Sequence, residues 1–143
     1  MMNARVLVAA PLLLALVGAV LAAGLPRTAA PATAKVYFIS PADGGVVKGE
    51  FTVRFGLVGM GVAPAGTATE GTGHHHLIID AALPALDQPL PKDDTHLHFG
   101  KGQTETVLKL APGKHTLQLI LGDANHIPHQ AAVVSEQISI TVK

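Results

Sequence analysis

The chain has 143 residues, with 10 Lys+Arg against 10 Asp+Glu, eight histidines and no cysteine. A neutral balance without a basic stripe excludes the electrostatic footprint of a nucleic-acid-binding protein. The absence of cysteine excludes disulfides, thiolate metal sites and a lipid-modified cysteine.

Taken in chain order, the N-terminus places Arg5 before an apolar run from Val6 to Leu25, followed by Ala, Pro and Thr residues up to Ala34. That is the order of a secretory signal. Several sites offer cleavage, among them Val20-Leu21-Ala22 and Ala32-Thr33-Ala34, and the pattern does not choose between them. An uncleaved anchor is the alternative, because a run of this length spans a bilayer at about 1.5 Å per residue. Residues 1–34 are therefore expected to be a signal peptide or anchor with a linker. Residues 35–143 are expected to be one periplasmic or otherwise exported domain, large enough for a single core.

From Lys35 the apolar residues recur with the period of strands. Val36 to Ile39 ends at the turn residues Ser40-Pro41-Ala42-Asp43-Gly44-Gly45. Phe51, Val53, Phe55 and Leu57 share one face of the next strand, with Thr52 and Arg54 on the other. A Gly- and Ala-rich loop leads to a strand from His74 to Asp80, and a Pro-rich stretch to a short one from His96 to Phe99. Gln103 to Leu110 forms another. Past the turn Ala111-Pro112-Gly113-Lys114, His115, Leu117, Leu119 and Leu121 share a face. The closing strand is expected to turn Val134, Ile138, Ile140 and Val142 inward. Six or seven such strands describe an all-β antiparallel β-sandwich, immunoglobulin-like or cupredoxin-like.

All eight histidines fall between His74 and His129. Residues i and i+2 of a strand point to the same side about 6.8 Å apart, so two imidazoles there can converge on one ion. His74 and His76 form such a pair, and His96 and His98 another. His126 and His129 flank Ile127-Pro128 in a loop. Each pair follows a long loop, so a shared rim of the sandwich is the expected location. These six residues are the candidate ligands for a copper or zinc ion, since neutral imidazole suits both. The competing reading is that they only order the loops. His75 and His115, on faces with core residues, are expected to be structural. Met60 is expected to pack, and Asp123 to serve a turn. Asp80 and Glu105 are candidate orienting acceptors for the histidines.

The blocks Tyr37-Phe38-Ile39-Ser40-Pro41-Ala42-Asp43-Gly44, Gly73-His74-His75-His76-Leu77-Ile78-Ile79-Asp80, His96-Leu97-His98-Phe99-Gly100-Lys101-Gly102-Gln103-Thr104-Glu105 and Pro112-Gly113-Lys114-His115-Thr116-Leu117-Gln118-Leu119 resemble the bacterial family catalogued as domain of unknown function 4399. The resemblance implies a small exported domain and no particular activity. A weaker similarity to cupins fails in spacing: Glu105 lies too far beyond His98, and Pro112-Gly113-Lys114-His115 is too compressed. No nucleophile elbow, phosphate-binding glycine loop or His-Glu-x-x-His helix is present. The expected function is metal sequestration or delivery in the periplasm. The rival is a non-catalytic envelope-binding or structural sandwich whose partner is another envelope protein.

Overall fold

The structure, a computed structural model, describes residues 25–143. The apolar signal-like run up to Gly24 lies outside the described residues. Nine strands follow in order: β1 (Lys35–Ser40), β2 (Val46–Val47), β3 (Glu50–Val58), β4 (Gly61–Val62), β5 (Thr72–Ile79), β6 (His96–His98), β7 (Glu105–Lys109), β8 (Gly113–Gly122) and β9 (Ile138–Val142). No helix occurs among the described residues, and the fold is an all-β sandwich of two sheets.

The smaller sheet has the order β1-β3-β7 with antiparallel pairing. The larger runs β2-β9-β8-β5-β4, with β6 added to the free edge of β5. Alternation along each strand assigns the inner faces. Val36, Val53, Phe55 and Leu108 from the small sheet meet Leu77, Ile79, Leu117, Leu119, Leu121, Ile138, Ile140 and Val142 from the large one. Full burial of a leucine or isoleucine contributes about 1.5–3 kcal/mol, so this row fixes which side of β5 and β8 faces inward. Phe99 joins the same core, with Leu97 and Met60 packed at its margin.

A second, smaller cluster lies on the other face of the large sheet, where Ile78 and Ile120 are covered by Leu90. Val134, expected in the main core, packs here instead, while its neighbour Val133 enters the main core. Residues 131–137 do not extend β9, because Ser135 takes over the edge of β8. Its backbone N–H donates to Leu119 O at 2.9 Å, and its Oγ accepts from Leu119 N–H at 2.9 Å. The regular closing strand therefore starts only at Ile138.

His75 points into the main core, 0% exposed, with its ring 5.2 Å from that of Phe55. Neither ring nitrogen has a partner. Burial pushes its pKa down to about 4, so the ring is neutral at pH 7.

His115 ends the leucine row of β8 and is held by two hydrogen bonds. Its Nδ1 donates to Asp80 Oδ2 at 2.6 Å and its Nε2 to Ala111 O at 2.7 Å. Two acceptors on one ring require the imidazolium, and the Asp80 bond raises the His115 pKa most. Desolvation works against ionisation of Asp80, but the bonds from His115 and Thr116 outweigh it and hold the carboxyl below its usual range. A histidine with a raised folded pKa contributes stability that is complete below about 6.5 and lost as pH rises through the folded value. Because Asp80 is nearly half exposed, we predict that His115→Gln costs only about 1 kcal/mol at pH 6. Urea unfolding across pH should show this difference shrinking as the solution becomes alkaline.

Candidate metal centre

The register of the large sheet brings three histidines together. His76 lies directly opposite His98 across β5 and β6, while Ile78 lies opposite His96. Directly paired residues have Cβ atoms about 4.5–5.5 Å apart, and His74 sits two residues before His76 on the same face. One nitrogen from each of His74, His76 and His98 lies within 4.8 Å of the others. His74 and His76 approach most closely, with Nε2 to Nε2 3.0 Å. The site is not on the sandwich rim but on the face of the large sheet turned away from the main core.

His126 closes the cluster from the loop after β8. Its ring centroid lies 4.7 Å from His98, 5.1 Å from His74 and 6.2 Å from His76. The loop is shaped by Asp123, a carboxylate 3% exposed. Oδ1 accepts the backbone N–H of Asn125 at 2.8 Å and of Ile127 at 3.1 Å, and Oδ2 accepts Thr28 Oγ1–H at 2.8 Å. Between those anchored amides His126 adopts a left-handed φ of 66°, a conformation that costs a non-glycine residue about 1 kcal/mol or more. The turn role expected for Asp123 thus sets the position of a cluster histidine.

The other two candidate residues are placed elsewhere. His96 Nδ1 donates to Asp93 Oδ1 at 2.9 Å, which also accepts from Thr95. These bonds, with that of His96 first, hold the Asp93 pKa down at about 2. His129 is fully buried and its Nε2 donates to Thr72 O at 3.1 Å. Neither ring stacks on the four of the cluster. Glu105 pairs with Arg54 at 3.0 Å and Asp80 with His115, so neither carboxylate orients a cluster histidine.

Burial and mutual proximity favour the neutral form of His74, His76 and His98. Burial, then the neighbouring His126 and His98, lowers the His74 pKa to about 4. Burial, then His74, lowers that of His76 to about 2. His98 is lowered by burial, by His126 and by Lys92. These three rings are therefore neutral at pH 7, the state in which an imidazole can bind a metal ion. His76 Nδ1 and His98 Nε2 are buried without a hydrogen-bond partner.

Two glycines wall the site with bare backbone. A Cβ on Gly100 would stand 2.3 Å from His98 Cε1 and 2.6 Å from its Nε2, and one on Gly122 would stand 3.0 Å from His76 Nε2. Neither glycine has a left-handed φ, so what a larger residue would contest is the space of the histidine rings. A cleft of about 420 Å³ lined by Lys92, Asp93, His96, Leu97, His98 and Phe99 reaches the cluster from outside. A larger groove of about 660 Å³ runs beside β1 and includes none of the cluster histidines.

Fold and site together define an all-β sandwich domain with a partly buried histidine cluster on one sheet face. Residues 53–143 match the model of the family described as Domain of unknown function (DUF4399), and the chain belongs to that family. No curated protein and no solved structure matches it.

The loop geometry rests on a buried charge, so Asp123→Ala should lower stability by about 2–3 kcal/mol. Burial opposes ionisation of Asp123, but the bonds from Thr28, Ile127 and Asn125 outweigh it and depress its pKa. Its contribution is present above about pH 4 and lost as pH falls through the depressed folded value. Thermal unfolding of the two proteins should therefore differ at pH 7 and converge in strong acid.

Proposed function

We propose that this protein is an exported metal-binding protein that sequesters or delivers copper or zinc, held by His74, His76 and His98 with His126 as the fourth ligand. The supporting observation is the 3.0 Å separation of the His74 and His76 Nε2 atoms beside the rings of His98 and His126. An ion bound at 2.0–2.1 Å to both nitrogens would subtend about 95° between them, near a tetragonal angle. The wider angle of a tetrahedron needs about 3.4 Å, a movement of a few tenths of an ångström.

A second reading has its own support. With one ring as the Nε2–H tautomer and the other offering its lone pair, 3.0 Å is also a hydrogen bond. In that reading the cluster orders the loops of an envelope-binding sandwich. Isothermal titration of the metal-free protein at pH 7 separates the two. We expect saturable uptake of about one equivalent of Cu(II) or Zn(II), weakening as the histidines protonate in acid. No saturable uptake of either ion would reject the metal reading.

Gly100→Ala gives a sharper test, because the atoms it displaces are the end of a side chain. The His98 ring should swing aside with the metal-free fold retained. We expect an unchanged metal-free melting temperature and a loss of affinity on the order of 10–100-fold, as when the support of a ligand is removed.

A further inference from the structure

The segment ahead of β1 is bonded to the loop that carries His126. Arg27 Nε donates to Pro128 O at 3.0 Å, and the same guanidinium reaches His129 O. Thr28 Oγ1 supplies one of the three hydrogen bonds that satisfy the buried Asp123 carboxylate. The backbone continues the contact: Gln130 N–H donates to Thr28 O and Ala30 N–H to Gln130 O, each at 2.8 Å, around a parallel bridge between Ala29 and Gln130. Ala30 and Ala34 then pack on the main core. The backbone of Thr33 and Ala34 runs so close to Gly59 that a Cβ there would lie 2.7 Å from Thr33. Residues 27–34, which by composition read as a linker, are part of the folded unit.

This bears on where among the several small-residue sites the chain is cut during export. A chain cut after Ala34 would lose all five hydrogen bonds of Arg27, Thr28 and Ala30. It would also leave the Asp123 loop, and with it His126, without its strap. The Ala32-Thr33-Ala34 triplet further lies beyond Pro26 and Arg27, away from the end of the apolar run at Leu25, whereas leader cleavage follows the apolar region closely.

We propose that a leader peptidase cuts N-terminal to Arg27, at Val20-Leu21-Ala22 or the small residues just after it. The mature chain then begins between Ala23 and Pro26, and Arg27–Ala30 are retained as a strap on the His126 loop. The step is hydrolysis of one amide: the hydroxyl of water joins the leader carbonyl and its proton the new amine. The inference rests on the export reading and is independent of metal binding.

Expression of the full precursor in a bacterial host, with intact-mass and N-terminal sequence measurement of the exported protein, tests it. We expect an N-terminus between Ala23 and Pro26. Exported protein beginning at Lys35, or full-length chain held in the membrane, would overturn the inference alone. Full-length chain soluble in the cytosol would overturn the export reading with it. An Arg27→Ala, Thr28→Val precursor should be cut at the same bond and melt about 5 °C or more below the parent; an equal melting temperature would refute the strap.

Discussion

Pairing of β6 on the free edge of β5 is the contact on which the candidate centre depends. It sets His98 directly across from His76, and the pleat adds His74 on the same face. A slip of one residue would turn His98 inward and Leu97 outward, since every side chain changes face with register. The packing of Leu97 and Phe99 on the main core opposes that slip. The centre is therefore held in place by the hydrophobic core on the opposite side of the same strands.

The same alternation explains the triple histidine. His74 and His76 face the cluster, while His75 must face the core, where it packs on Phe55 without a hydrogen-bond partner. An unpaired buried imidazole costs free energy that an apolar side chain of similar size would not. The fold nevertheless tolerates it because the ring is neutral and its flat faces pack like a small aromatic. His74 and His76 are neutral for a further reason, since repulsion between the clustered rings adds to burial there.

Around the sheet, backbone and charge take over from hydrophobic packing. Asp123 gathers two loop amides and a threonine hydroxyl, forcing the turn in which His126 is presented. Gly100 and Gly122 leave the space that the His98 and His76 rings occupy. The strap at Arg27–Ala30 and the Ser135 contact on β8 keep the long 123–137 connection on the sheet. Asp123, Gly100 and Gly122 each act on the position of a ring without contributing a ring themselves.

Periodicity in the sequence was sufficient for the all-β sandwich, for the inward faces of β3, β5 and β8, and for the i, i+2 pairing of His74 with His76. These follow from local pleating, in which side-chain direction depends only on position along the strand. The same rule offered His96 with His98 on equal terms, and only tertiary structure separated them, because Asp93 and Thr95 draw the His96 ring away. The loop pair His126 and His129 was divided likewise, one ring entering the cluster and the other bonding Thr72. Nothing local signalled the path of residues 131–137, where Ser135 replaces a strand ladder, or the attachment of residues 27–30. Asp123 followed by Asn125 and His126 was a visible turn signal, but its use in aiming an imidazole was not. Strand order and loop docking join residues far apart in the chain, so they are decided by what packs and hydrogen-bonds across the fold rather than by the spacing of neighbours.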